Sequence, residues 1–187
     1  MGQFRHTDVP HIHELHRRML VIDFPGSNSL DYHAKTFSIC GAMNNFIIIV
    51  IPYTGDINTL ISKEISKVFS VMAGSESTHI LLCINKCGYE LPKAIRGELS
   101  QMSGDDEEPI DYLRARFATK LNEYYESTGA SFAVPKENIL FTDWLAADDA
   151  EVRACGIVGV EAVKAEIKKY LLKNSILEPC EFQELSF

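Results

Sequence analysis

The 187-residue chain has no apolar run long enough to cross a bilayer. Its longest, Phe46–Pro52 (FIIIVIP), has the length of a strand. Basic residues are in deficit: 18 Lys and Arg stand against 26 Asp and Glu, a net charge of −8. Nucleic-acid backbones and anionic membranes attract basic surfaces, so this balance argues against either as the main partner. It leaves nucleotides open, because local backbone N–H groups rather than net charge hold their phosphates. Cysteines are few, five in all, and scattered, and these 187 residues show no signal-peptide pattern ahead of them. Reduced thiols in a cytoplasmic compartment are the expectation. Cys83 and Cys87 lie four apart, but no second Cys or His pair has matching spacing, so a zinc ligand set is incomplete. His6 stands where a myristoylation signal needs Ser or Thr, and the final Glu-Leu-Ser-Phe is no prenylation box.

What the chain does have is the make-up of one ordinary globular domain. Apolar residues are 46% of the chain and charged residues 24%, and the length suffices to bury a core. Four apolar runs read as buried strands: Met19–Asp23 (MLVID), Phe46–Pro52, His79–Asn85 (HILLCIN) and residues 138–142 (NILFT). None alternates, and all are rich in Ile, Val and Leu, as expected of strands covered on both faces in a parallel sheet. Between and after them, apolar residues recur at helical spacing. Residues 58–73 carry Ile61, Ile65, Val68, Phe69 and Met72; residues 107–127 carry Ile110, Leu113, Phe117, Leu121 and Tyr124. Residues 160–172 carry Val160, Val163, Ile167, Tyr170 and Leu171. Each set makes one apolar stripe. Residues 31–44, with Ala34, Phe37 and Ala42, form a weaker helical pattern. The alternation of strand and helix predicts a three-layer α/β/α fold around a mostly parallel sheet with right-handed crossovers. Residues 97–109 (GELSQMSGDDEEP) read as a solvated acidic loop, residues 1–18 as a polar N-terminal arm, and residues 174–187 as a C-terminal tail.

Open α/β sheets bind ligands beyond the carboxyl ends of their strands, so the strand exits carry the functional signal. The first strand leaves through Asp23-Phe24-Pro25-Gly26, a D-x-x-G pattern. A carboxylate at that tip suits Mg²⁺, and a glycine there lets backbone N–H approach a phosphate. Alone, the same four residues also describe a plain turn. The third strand leaves through Asn85-Lys86-Cys87-Gly88, which begins like the guanine-binding box N-K-x-D. The last strand leaves through Phe141-Thr142-Asp143.

Taken together, IDFPG, INKCG and the strand–helix order resemble the P-loop GTPases of the Ras-like, translation-factor-related class. The similarity runs to the larger dynamin-like, interferon-inducible and septin-related members. It spans roughly residues 15–173. The resemblance implies a GTP/GDP-binding regulatory domain that uses Mg²⁺. It assigns Asp23 and Gly26 to sensing Mg²⁺ and the γ-phosphate, and Asn85 and Lys86 to the base. Thr142 and Asp143 fall in the loop that contacts the guanine. Thr7 takes the place of the Mg²⁺-binding switch threonine. The helix over residues 160–172 becomes the closing helix of the fold.

Two departures qualify what the resemblance implies. No G-x-x-x-x-G-K-[ST] occurs in the sequence. In the resembled class that loop follows a strand lying between the ones matched here by Met19–Asp23 and Phe46–Pro52. The expected fold is therefore an incomplete G domain without its first strand and P-loop, from a fragment or a truncated paralogue. Phosphate affinity should fall severely and hydrolysis further. Those two strands then either pair directly or need a partner or second copy, because unpaired buried backbone is costly. The second departure is Gly88, which stands where the family uses Asp to read guanine. That leaves GTP against ATP open and suggests a second function: a nucleotide-free pseudo-GTPase serving as a protein-interaction module.

Other constellations carry less. His11, His13, His16 and Glu14 form the one metal-like cluster. On a strand His11 and His13 share a face, on a helix His13 and His16 do, and neither gathers all three. Ser27, Ser29 and His33 suggest a nucleophile pair, but G-x-S-x-G is absent and a mobile switch fits the position better. An unrelated flavodoxin-like domain would need an anion-binding loop after Asp23, for which residues 27–29 are the only candidate. Residues 105–108 (DDEE) lack calcium-loop spacing and suit the start of a helix.

Overall fold

The computed structural model describes residues 11–16, 19–23, 46–53, 57–66, 79–88, 91, 109–128, 134–145, 149–174 and 176. The order of elements is β1 (His11–His16), β2 (Met19–Asp23), β3 (Phe46–Pro52), α1 (Ile57–Thr59, continued by a π-helical stretch over Leu60–Ile65) and β4 (His79–Asn85). Then come α2 (Pro109–Thr128), a 3₁₀ turn (Lys136–Asn138), β5 (Ile139–Phe141), α3 (Ala150–Ala154) and α4 (Val160–Lys173).

Strands β3, β4 and β5 form a parallel sheet in that spatial order. Phe46 faces His79 and Pro52 faces Asn85, so β3 and β4 run in register along their full length. On the far side of β4, Leu82 pairs with Ile139 and Ile84 with Phe141. Parallel neighbours need long crossovers. The one from β3 to β4 contains α1, and the one from β4 to β5 contains α2.

Strand alternation sends the side chains of β4 to two separate cores. Ile80, Leu82 and Ile84 pack with Ile49, Ile51, Ile139 and Phe141 against α1 (Leu60, Ile61, Ile65) and α2 (Ile110, Leu113, Phe117, Leu121). Leu81 and Cys83 pack with Leu140 against Val163 and Ile167 of α4. Helices thus cover both faces, and the unbroken apolar run of β4 follows from that double burial. In the first core Phe117 and Phe141 meet edge to face at 6.3 Å, a geometry worth about 1 kcal/mol beyond the area buried. On the second face, Ile48 and Val50 of β3 remain 39% and 46% exposed.

Short segments tie these layers together. Asp149 caps α3 by accepting the N–H groups of Glu151 (2.8 Å) and Val152 (3.3 Å), which satisfies donors that the helix leaves open. Gly156 follows the end of α3 with φ of +75°, the left-handed conformation in which glycine commonly ends helices. A side-chain carbon there would stand 2.7 Å from Ile110.

The helical sets at residues 107–127 and 160–172 correspond to α2 and α4. Of the pattern at residues 58–73, the helical part described ends at residue 66, with Ile61 and Ile65 buried. Val68, Phe69, Met72, the weaker pattern at residues 31–44 and residues 177–187 lie outside the described residues.

One strand departs from expectation. The sequence pattern places Met19–Asp23 in the parallel sheet. Instead β2 pairs antiparallel with β1, which falls inside the residues read as a polar arm, with His11 opposite Asp23 and His13 opposite Val21. Only Arg17 and Arg18 separate the two strands, and so short a connection permits a hairpin but no parallel crossover. The register shifts between Glu14 and His16, as at a bulge. Among the described residues, no pairing joins this hairpin to the parallel sheet. Direct pairing of Met19–Asp23 with Phe46–Pro52 is therefore not how either strand is satisfied.

Candidate functional site

The carboxyl ends of β3, β4 and β5 converge through a backbone network. Tyr53 donates its N–H to the Asn85 carbonyl (2.7 Å), and Thr142 donates its N–H to the Ile84 carbonyl (2.7 Å). Cys87 returns an N–H to the Thr142 carbonyl (3.2 Å). Asp143 donates its N–H to the Val158 carbonyl (3.0 Å), which brings in the segment just before α4. Three strand exits and one helix entry thus share a single hydrogen-bonded seam. Such a seam keeps loop backbone ordered where strand pairing ends.

Side chains then join the two exits that the sequence singles out. The Thr142 hydroxyl, fully buried, donates to the Asn85 side-chain oxygen (3.3 Å) and lies 3.4 Å from the Ile84 carbonyl. Asp143 accepts the Gly88 N–H on Oδ2 (2.8 Å) and the Leu145 N–H on Oδ1 (3.0 Å). Asp143 therefore holds the turn after β4 and its own loop at once. Both contacts are charge-assisted, the stronger kind of hydrogen bond.

Between these ties sits Lys86, exposed and at φ of +62°, the only non-glycine residue with positive φ among those described. For a lysine the left-handed region costs roughly 1–2 kcal/mol. The clamp from Asn85 on one side and Gly88 on the other over-determines that backbone, which is how strained residues persist.

Cys87 faces inward. Burial, reinforced by the nearby Asp143 charge, pushes its thiol up to about 12, although a backbone hydrogen bond at Thr142 acts the other way. Its Sγ donates to the Ile84 carbonyl (3.0 Å). Burial alone pushes the Cys83 thiol up to about 12 as well. The two belong to opposite faces of the sheet, so they form no common metal site. Protonated and buried, they behave as packing residues.

Asn85, Lys86, Thr142 and Asp143 are thus brought together at one end of the sheet. Asp23 ends β2, in the other sheet, and its side chain is outside the described set. Thr7, Gly26, Ser27, Ser29, His33 and residues 97–108 lie outside the described residues altogether. His11 and His13 share a face of β1, with ring centroids 6.5 Å apart and nearly parallel planes. No group of three or more His, Cys, Asp or Glu positioned to hold a metal occurs among the described residues. No described helix is long and apolar enough to cross a membrane.

Sequence reasoning missed two features of this site. The tie from Asp143 to Gly88 joins residues 55 apart, and no local pattern announces it. The second is the pair after Asp143: Trp144 is 47% exposed and Leu145 is 99% exposed. An exposed Trp-Leu directly after a strand exit is visible in the sequence as an apolar pair where a polar loop is the norm.

No protein-family model matches the chain, and no curated protein matches it either.

Proposed function

We propose that the chain is a GTP-binding regulatory domain of the P-loop GTPase class, with the nucleotide base held at the carboxyl ends of β4 and β5. The observation that supports this most is the clamp between Asn85-Lys86-Cys87-Gly88 and Thr142-Asp143. The resemblance assigns both exits, the first to the base-binding box on its Asn-Lys and the second, by position alone, to the loop contacting the base. They lie side by side on adjacent parallel strands, where open α/β sheets bind their ligands. In this reading the finer fold is an incomplete G domain, and the strand that precedes a P-loop belongs between β2 and β3.

Mg²⁺ is the cofactor that the class brings with GTP, through Asp23 and Thr7. Among the described residues no group of three or more His, Cys, Asp or Glu is placed to hold it. No catalytic step is assigned. These 187 residues contain no G-x-x-x-x-G-K-[ST], so the backbone cradle and lysine that stabilise transferring phosphoryl groups are not among them.

Calorimetric titration of the chain with Mg²⁺·GTP tests the proposal. Saturable, weak binding that disappears in Asn85→Ala is expected, with hydrolysis near the uncatalysed rate. Absence of binding at any attainable concentration sinks it. Tight, micromolar binding would refute the weakened phosphate cradle.

Gly88 favours a second reading, the nucleotide-free interaction module. A glycine at that position offers no side chain to read a base, and its N–H is consumed by Asp143. Under this reading Asn85→Ala and Asp23→Ala leave partner capture intact and no nucleotide binds.

A further inference from the structure

We infer that Trp144 is the stacking platform for a purine base at this site, so that the base is recognised by its face rather than its edge. The inference rests on the nucleotide reading above and specifies how that site discriminates. Reading guanine by its edge needs an acceptor for its ring and exocyclic N–H groups. Gly88 has no side chain, and the Thr142 hydroxyl is buried and directed to Asn85. The Asp143 carboxylate is oriented by two backbone N–H groups, of Gly88 and of Leu145, so its direction serves the loop, although each oxygen keeps a second lone pair. Position 88 itself adds no side-chain acceptor for the edge.

What the loops do present is surface suited to a flat ring. Trp144 exposes about half of a large indole, an arrangement that costs hydration free energy unless something covers it. It stands on a loop fixed on both sides, by the Asp143 N–H to Val158 and by the Leu145 N–H to Asp143. Lys86, exposed and held in its left-handed conformation, adds a cation two residues before the clamped Gly88. Aromatic faces and cations bind every base with little regard for its edge. Guanine and adenine nucleotides should therefore bind this site nearly alike.

Trp144 is the only tryptophan in the chain, so its emission reports on this loop alone. The full chain is titrated with Mg²⁺·GTP, Mg²⁺·ATP and base-less tripolyphosphate, by tryptophan fluorescence and in parallel by calorimetry. Both nucleotides should change the emission, with dissociation constants within about threefold of each other, and tripolyphosphate should not. Trp144→Phe should keep binding, and Trp144→Ala should weaken it about tenfold, the scale of one lost base–aromatic stack. Because the side chain is half exposed, both variants should retain the wild-type circular dichroism. Calorimetric binding with unchanged emission, an unaffected Trp144→Ala, or a strong preference for GTP over ATP would each overturn the stacking role while leaving nucleotide binding in place. Absence of calorimetric heat with either nucleotide would overturn both and return Trp144 and Leu145 to a protein-docking role.

Discussion

Replacing Asp143 with Ala tests whether the clamp between the β4 and β5 exits holds the domain together. The carboxylate makes two charge-assisted contacts, to the Gly88 N–H at 2.8 Å and the Leu145 N–H at 3.0 Å. They are not equal. Leu145 is almost fully exposed, so its freed N–H is taken up by water and little is lost. The Gly88 contact is partly buried, and its N–H would have to find water in a turn that also carries the strained Lys86 backbone. A hydrogen bond to a charged group contributes about 1.5–3 kcal/mol, and an orphaned buried donor costs a similar amount. The expected loss is therefore about 2 kcal/mol, mostly from one contact. Asn in place of Asp keeps one acceptor oxygen and should lose about half as much. Urea denaturation, followed by circular dichroism, reads the change as a fall in midpoint at unchanged slope. A loss below about 0.5 kcal/mol for Asp143→Ala, the range of neutral surface substitutions, would refute the clamp. A changed slope would indicate instead that the unfolding unit itself had altered.

Gly156→Ala should cost about 2 kcal/mol or more in the same assay, since it combines a left-handed backbone with a carbon 2.7 Å from Ile110. A simultaneous Ile110→Ala removes the Cγ2 and Cγ1 atoms that the new carbon would meet, so the glycine substitution should cost less in that background than in the wild type, and this non-additivity would locate the clash. His79, stacked on Phe46 at 5.2 Å and tilted against Tyr170 at 4.7 Å, has its pKa lowered by burial first, then by Lys173 and Lys169, with Glu166 opposing. The unfolded chain therefore takes up a proton at a higher pH than the folded one. The contribution of this site is present above pH 6.5 and is lost as pH falls below it toward the lowered folded value. His79→Phe should flatten the stability–pH curve in that window. With thiols at about 12, Cys83 and Cys87 should resist a disulfide reagent at mildly alkaline pH in the native protein, as peptide mapping by mass spectrometry would show. Rapid labelling of either would contradict its burial.

How much of this was legible in the sequence follows from which forces act locally. His79–Asn85 read directly as a buried parallel strand, because burial on two faces removes polar residues from the run itself, whereas Phe46–Pro52 read the same way and is parallel but buries only Ile49 and Ile51, leaving Ile48 and Val50 exposed on its other face. The helix Pro109–Thr128 was readable from Ile110, Leu113, Phe117 and Leu121, which face one core. Met19–Asp23 carried the same apolar signature yet sits in a hairpin. Its partner, HIHELH, is short, polar and rich in histidine, so nothing in β1 itself advertised a strand. The deciding information was the two-residue connection rather than the composition of either strand.

The site divides along the same line. Asn85 and Lys86 were legible because they end an apolar strand. Thr142 and Asp143 were legible because they end the next one, and the fold brings the two pairs together. What the sequence could not convey was the direction of the Asp143 carboxylate. A pattern places an acid near a base-binding loop and leaves open whether it reads a ligand or builds the loop. Here both oxygens accept backbone N–H groups. An Asp introduced at position 88 would face that same carboxylate across the turn, and two like charges so close disfavour each other. On the proposed nucleotide reading, Gly88→Asp should therefore confer preference for guanine only when Asp143 is changed to Asn in the same chain. The single and double variants, titrated with GTP and ATP, separate the two roles. Guanine preference in the single variant would show that Asp143 yields its backbone contacts readily, and the clamp would then be incidental to how the loop is held.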